Sequence, residues 1–545
     1  MSLDIRNLTL DLGKERILEN ISLHVADGER VGLVGSSGSG KSMLLRAITG
    51  LLPVRAKVSG FCLLGSTQII GESDENLANL RGKYVGVVFQ QANRALNPML
   101  SVEEQISLPL RIHYQLDSDN IQNRVYEMLE KVGLSKNIAN KRTFELSGGQ
   151  QQRVGIATAL ISSPRLILAD EPTTALDSVT QRDVVNMLTS LVDNMGASML
   201  FVTHDFSVLS RVAKRCYVLD SGKLVDSSHV KDLLENPHIT KTKQLVTAAK
   251  KLTLSAKKLE VESNTKENST KESNLKNSAL TSSAIIEAKN IHVILGHGKN
   301  HTEVLKGVDA KVNSGESLAI IGGSGSGKTT LIRSLLGLQK ISAGSVLYDG
   351  ELVNTSEDSA SAFTSSYSSL RKETSLVFQH PFAALDPRWT VRSSIAEPLE
   401  IWKKSLQLNS ETINQRVNDV MQLVGLNPDN FANRYPHELS GGQAQCVAIA
   451  RALINNPRVL VADEPMSAID VAERTHILEA FEEIRKKRPE MACIFVSHDL
   501  GMIQHLASRV IVLNEGEIAE SGSVSCVLTN PQHAYTKSLI KAAIL

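Results

Sequence analysis

The stretch VGLVGSSGSGKS, Val31 to Ser42, decides the fold. Its apolar beginning, with Arg30 in front, reads as a strand of a parallel sheet buried on both faces. The glycines that follow fit G-x-x-x-x-G-K-[ST] at Gly35, Gly40, Lys41 and Ser42. Glycine lets backbone N–H groups approach phosphate oxygens closely where a helix begins, so Gly35, Ser36, Ser37, Gly38, Ser39 and Gly40 form a phosphate cradle. Lys41 then reaches the β and γ phosphates, and the Ser42 hydroxyl ligates Mg²⁺. A flexible glycine turn with an incidental lysine is the competing reading of a single such stretch.

A second copy tells against that reading. LAIIGGSGSGKTTLI, 318 to 332, repeats the pattern with Gly322, Gly323, Ser324, Gly325, Ser326, Gly327, Lys328 and Thr329. The repetition extends well beyond the loop. VVFQQANRALNP (87 to 98) matches LVFQHPFAALDP (376 to 387), and FVTHDFSVL (201 to 209) matches FVSHDLGMI (495 to 503). LSGGQ occurs letter for letter at 146 to 150 and 439 to 443. The offset is about 290 residues throughout, too long for a solenoid repeat and right for a duplicated domain.

Two domains are therefore expected at 1–251 and 285–545, joined by a tether at 252–284. The tether is rich in Ser, Asn, Lys and Glu, and such a segment buries too little apolar surface to offset its ordering entropy. A charged solvent-exposed helix is the alternative for it. Within each domain RVGLVG, LILAD and SMLFVTHD read as buried parallel strands and VTQRDVVNMLTSLVDNM as an amphipathic helix, which makes the core α/β. In such sheets ligands sit at the carboxyl ends of the strands, where these motifs fall.

The bulk composition excludes several classes. The chain has 545 residues, of which 42% are apolar, normal for globular domains. Its longest apolar runs stop well short of the roughly 20 residues needed to span a bilayer. MSLDIRNLTL lacks the basic and apolar regions of a signal peptide, so a cytoplasmic chain is expected. The formal charge of +1 gives no basic footprint for nucleic acid. Five scattered cysteines without a CxxC pair indicate neither a disulfide framework nor a zinc site.

Acids and histidines end the remaining strands. Asp170 and Asp463 are each followed by glutamate, Glu171 and Glu464. The first carboxylate of each pair suits Mg²⁺ and the second suits activating a water, although one such pair alone reads as a solvated turn. His204 and His498 follow apolar strands, where a capping or core role competes with contact to a γ-phosphate. Gln90 and Gln379 place an uncharged amide where it can touch metal or water.

The order P-loop, Gln, LSGGQ, Asp-Glu, His, run twice, resembles the ATP-binding cassette (ABC) ATPases over nearly all of the chain except the tether. The resemblance implies two P-loop domains, each with a RecA-like parallel-sheet core, an antiparallel β subdomain and an α-helical signature subdomain. It implies ATP and Mg²⁺ as ligands, with the metal held by Ser42, Gln90 and Asp170 and by Thr329, Gln379 and Asp463. Glu171, His204, Glu464 and His498 become catalytic. In that family the cassettes dock head to tail, so that Ser440, Gly441, Gly442 and Gln443 close the site of Lys41, and Ser147, Gly148, Gly149 and Gln150 close that of Lys328. Asp177 and Asp470 look like the family's D-loop acids, and equally like helix N-caps. Both sites are expected to hydrolyse ATP.

Some positions depart from the family pattern. Leu12, and in the second copy a position near Leu295, align where an aromatic usually stacks on adenine. Cys446 stands in place of an arginine after the second signature, which is expected to soften the site of Lys41, and Met466 replaces a threonine. The Gln90 and Gln379 regions and the ending NPQHAYTKSLIKAAI resemble peptide and nickel importer ATPases, here as a fusion of D-type and F-type subunits. Two integral-membrane permeases and an extracytoplasmic solute-binding protein are the implied partners, at the cytoplasmic face of the membrane. The rival is a soluble tandem-cassette translation factor on the ribosome.

Overall fold

The computed structural model describes residues 1–173, 176–254, 284–297, 300–355, 365–403, 407–467 and 469–543. The expected tether falls almost wholly outside them. The chain divides into two compact units: Met1–Leu176 and Thr180–Ala249 with Asp470–Ala472, and Asp177–Val179 with Lys250–Ile469 and Glu473–Leu545.

The first unit contains two sheets. Strands β1 (Leu3–Leu12), β2 (Glu15–Val25), β4 (Ala56–Leu64) and β5 (Thr67–Gln68) form an antiparallel sheet in the order β2-β1-β4-β5. The second sheet runs β10-β9-β3-β8-β7-β6, from β3 (Arg30–Gly35), β6 (Val85–Val88), β7 (Leu166–Asp170), β8 (Ser198–Thr203), β9 (Arg215–Asp220) and β10 (Lys223–His229). Its strands pair in parallel except β10, antiparallel on the edge. The sequence dictates this arrangement. LILAD is buried at every position before its terminal acid, and SMLFVT is buried throughout, so both faces must be covered.

Between β6 and β7 the chain turns helical. Helix Val102–His113 starts with a capping box in which Ser101 accepts from the Glu104 N–H and Glu104 answers the Ser101 N–H. Helix Ser118–Lys131 buries Ile121, Val125, Met128 and Leu129, one stripe at helical spacing. These side chains join Ile106, Val154 and Leu160 in the core of the helical subdomain.

The second unit repeats the plan. Strands β11 (Ala284–His297), β12 (Asn300–Asn313), β14 (Ala343–Tyr348) and β15 (Glu351–Thr355) form the sheet β12-β11-β14-β15. Strands β13 (Ser317–Ile321), β16 (Thr374–Val377), β17 (Val459–Asp463), β18 (Ala492–Val496), β19 (Arg509–Asn514) and β20 (Glu517–Ser523) form β16-β17-β18-β13-β19-β20, with only β20 antiparallel. In both units the strand that feeds the glycine loop is interior, flanked by parallel neighbours, and its carboxyl end opens beside that of the strand leading to the histidine, with the acid-bearing strand next beyond. No described helix is long and apolar enough to cross a membrane.

Candidate nucleotide-binding sites

The loop after β3 is shaped by its glycines. A Cβ on Gly35 would stand 2.1 Å from the Leu219 carbonyl oxygen, and one on Gly322 2.2 Å from that of Leu513. Gly40 and Gly327 sit at φ 104° and 102° just before helices Lys41–Thr49 and Lys328–Leu335, and neither helix start has a side-chain cap. The first-turn N–H groups are thus left for a ligand. Within the loops, the hydroxyls of Ser39 and Ser326 are buried without a hydrogen-bond partner.

Lys41 curls over its own loop, donating from Nζ to Gly35 O at 2.9 Å and Ser36 O at 2.8 Å. Lys328 does the same to Gly322 O at 3.0 Å and Gly323 O at 2.7 Å. Burial pulls both ammonium groups below their ordinary pKa, against the attraction of Glu171 and Asp170 in one case and Glu464 and Asp463 in the other. An anionic ligand supplies the countercharge that burial has taken away.

Each acid lies at the end of its strand. Burial pushes Asp170 upward, opposed by the Ser42 hydroxyl bonded to it. Asp463 is raised by burial and by the adjacent Glu464 charge, with the Thr329 hydroxyl at 3.5 Å. A hydroxyl facing a carboxylate raised by desolvation is a donor set suited to a hard divalent cation. Ser42 with Asp170, and Thr329 with Asp463, therefore fit Mg²⁺.

The adjacent glutamates occupy the centre of each site. Glu171 accepts from Gln90 Nε2 at 2.9 Å and faces His204 Nδ1 at 3.1 Å. Glu464 accepts from Gln379 Nε2 at 2.7 Å and faces His498 Nδ1 at 3.4 Å. In both copies Gln and His hold the two carboxylate oxygens from opposite sides, and the glutamine carbonyl oxygen is not needed for that bond. Burial pushes Glu464 up, but the His498 bond and the charges of His498, Lys328 and His380 together hold it below its ordinary value. Both glutamates adopt positive φ, 43° and 47°, a strained backbone for a residue with a side chain. Directly after the histidines, Asp205 and Asp499 cap the helices Phe206–Val212 and Leu500–Leu506.

The LSGGQ stretches begin helices Gly148–Leu160 and Gly441–Leu453. Ser147 and Ser440 are the N-caps, and the glutamine side chains of Gln150 and Gln443 return a bond to the serine N–H, at 3.0 Å in each. Those glutamines thus hold the loop in shape, while Gly148, Gly149 and Gly441 present the open backbone and the Gly442 N–H is taken by Glu473.

The departures from the family pattern also find places. Leu12 ends β1 half-buried and Leu295 is 39% exposed on β11. Arg153, the counterpart of Cys446, donates to the Val132 carbonyl at 2.7 Å, a bond within the helical subdomain. Cys446 is buried in the matching helix with its thiol pushed up to about 12 by burial. Met466 is buried. Asp177 and Asp470 directly precede helices Ser178–Asn194 and Val471–Lys487. Thr174, Ala175 and Ala468 of the two D-loops lie outside the described residues.

Two contacts were not foreseen. The Tyr535 hydroxyl accepts from the Gly323 N–H of the second loop at 2.6 Å. Glu473 bonds to the second signature, described below. In the first unit an apolar groove of about 240 Å³ runs beside β6, lined by Val88, Phe89, Ala92, Leu96, Pro109 and Gly155.

A phosphate cradle at the end of a parallel strand, a cation-suited hydroxyl and acid, and a glutamate braced between glutamine and histidine, twice in one chain, define a tandem P-loop ATPase. The profile of the family described as ABC transporter matches residues 18–174 and again 305–467. The chain is 34% identical over 535 residues to the peptidoglycan transport ATP-binding protein YejF of Agrobacterium fabrum, covering 96% of this chain and 92% of that one. It is 32% identical over 591 residues to the oligopeptide transport ATP-binding protein OppD of Mycobacterium tuberculosis, covering 96% and 95%. It is 32% identical over 565 residues to the glutathione import ATP-binding protein GsiA of Pectobacterium atrosepticum, covering 99% and 89%. The chain belongs to the ABC transporter family, as an ATP-hydrolysing protein with two cassettes.

Proposed function

We propose that this chain energises a membrane importer of peptides. Its cassettes, 1–251 and 285–545, close head to tail on ATP, the second signature over the Lys41 cradle and the first over the Lys328 cradle. It works at the cytoplasmic face with two integral-membrane permeases and an extracytoplasmic solute-binding protein. The observation that carries this reading is the reach of the likeness. Proteins named for oligopeptide, peptidoglycan and glutathione transport are similar over at least 96% of the chain, through both cassettes.

The chemistry follows from the braced glutamates. A water lying against Glu171 or Glu464 gives its proton to the carboxylate as its oxygen attacks the γ-phosphorus, and the bond to the bridging oxygen of ADP breaks. Gln and His fix the carboxylate so that little reorganisation is needed at that moment. Lys41 and Lys328 exchange loop carbonyls for phosphate oxygens. Ser42, Asp170 and Gln90, and in the second copy Thr329, Asp463 and Gln379, would hold Mg²⁺, which when bound would supply neutralisation of phosphate charge. The apolar groove lined by Phe89 supports permease docking in the first cassette, because a helix seated there touches the residue that precedes Gln90, the partner of Glu171. ATP drives closure only by binding the closed arrangement better than the open one.

A mild-detergent pull-down from native membranes tests the proposal, combined with uptake of labelled di- and oligopeptides by cells carrying Glu171→Gln/Glu464→Gln. Two polytopic membrane proteins are expected to co-purify and peptide uptake to fail. Recovery of ribosomes without membrane proteins would overturn the importer reading and leave the ATPase standing. Loss of glutathione or nickel uptake, with peptide uptake intact, would overturn the substrate.

A further inference from the structure

The two signatures read alike in sequence and are not alike in their surroundings. In the second, Ser440 Oγ donates to Glu473 Oε1 at 2.5 Å and the Gly442 N–H donates to Glu473 Oε2 at 2.9 Å. Both oxygens of one carboxylate are thus seated on the hydroxyl and the backbone N–H at the N-terminal end of helix Gly441–Leu453. These are the groups that a serine-glycine helix start offers to a phosphate. The fit is close: a Cβ on Gly442 would lie 2.8 Å from the Cβ, Cδ and Oε2 atoms of Glu473. The first signature faces a different residue. At the same offset from its serine stands Thr180, and a Cβ on Gly149 would meet only Thr180 Cγ2, at 3.3 Å. Threonine has no carboxylate to place on Ser147.

We infer that Glu473 is a built-in competitor for the γ-phosphate, which occupies the second signature and makes the ATP site completed by that signature the weaker of the two. Carboxylate and phosphate want the same donors and repel one another, so both cannot be seated there. For ATP to be gripped, Glu473 must rotate off Ser440 and Gly442, and the apparent affinity falls by the fraction of time the signature is free. The consequence is an order of events. The site built on Ser147 closes without this step, and the site built on Ser440 closes after it. Assigning the weaker site to Lys41 rests on the head-to-tail pairing proposed above.

The test is ATP binding and turnover in the full chain with one cradle disabled at a time. In the Lys328→Ala chain, Glu473→Thr is expected to lower the dissociation constant for ATP about three- to tenfold, as if Glu473 held the signature for two-thirds to nine-tenths of the time. The kcat should stay within about twofold, a split that a general loss of structure would not produce. Glu473→Gln, which keeps the shape and loses the charge, should give a smaller gain of the same sign. The reciprocal Thr180→Glu should weaken ATP binding in the Lys41→Ala chain. A gain from Glu473→Thr seen only in the Lys41→Ala chain would support the competition and overturn the cross pairing. Unchanged or weaker binding with Glu473→Thr and Glu473→Gln in both chains, each variant melting as the parent does, would overturn the inference.

Discussion

The two cassettes share the braced glutamate proposed as their hydrolytic centre and part company at the signature. Around Glu171 and Glu464 the partners are the same, Gln and His on opposite oxygens, with bonds of 2.9 and 3.1 Å in one and 2.7 and 3.4 Å in the other. At the signatures the serine, glycines and glutamine are identical while the facing residue is Thr180 in one and Glu473 in the other. Bond-breaking needs a fixed constellation and admits little variation. The step that admits and holds the nucleotide can be tuned by one side chain outside the motif, leaving every recognised letter in place.

The largest effect should come from the shared centre. Glu171→Gln with Glu464→Gln should lower steady-state phosphate release by about a hundredfold or more, while each single variant keeps a measurable share. If one single variant abolishes turnover and the other leaves it untouched, the cassettes differ in chemistry as well as in grip. A smaller contrast is expected at the signatures. Gly442→Ala should destabilise the second cassette by about 1–3 kcal/mol in thermal unfolding, because its methyl overlaps Glu473, and Glu473→Ala in the same chain, which removes Cδ and Oε2 but keeps the Cβ, should relieve part of it. Gly149→Ala, whose methyl would meet only Thr180 Cγ2 at 3.3 Å, should cost less.

Charge offers a finer comparison within each pair of acids. Burial raises Asp170 and Asp463 above the ordinary 3.8, so their ionised forms are disfavoured in the fold. The resulting cost is fully present above the folded pKa and vanishes as pH falls below 3.8. Asp170→Asn and Asp463→Asn should therefore raise the urea midpoint at pH 7, with a gain that shrinks toward pH 4. Glu464, held below 4.5, contributes in the opposite sense: its stabilisation is present above that value and is lost as pH falls through the folded pKa. Glu464→Gln should lower the midpoint at pH 7. The smallest signal is a thiol count. Cys62, Cys216, Cys446 and Cys493 are buried and only Cys526 is exposed, so maleimide should label the native chain once at Cys526. Labelling of Cys446 would show that the second signature helix opens to solvent.

Much of this was legible in the sequence because it is local. Strands that end in an acid or histidine, a glycine loop before a helix, and a serine three residues ahead of glutamine each carry their geometry within a few positions. Asp177 and Asp470 stayed ambiguous because an acid ahead of a helix is an ordinary cap. Glu473 was silent for a related reason. An acid in the first turn of a helix is what the helix dipole favours anyway, and nothing in the chain announces that it meets a serine 33 residues upstream. Tyr535 was noticed within the closing segment NPQHAYTKSLIKAAI, but its bond to Gly323 spans 212 residues and is set by the packing of the last helix. The capping boxes at Ser147 and Ser440 are local as well, since S-x-x-Q carries both partners within three residues.

The left-handed backbone at Glu171 and Glu464 has a bearing on how such a chain can change over generations. At φ 43° and 47° most side chains cost stability, and asparagine and glycine cost least. Replacing either glutamate by asparagine or glycine would relieve that backbone while giving up the bonds to Gln and His, so the fold loses less than the proposed chemistry does. A duplicated ATPase with this geometry can lose one engine by a single tolerated substitution and keep the dead half as a nucleotide-binding scaffold, ready to be repurposed.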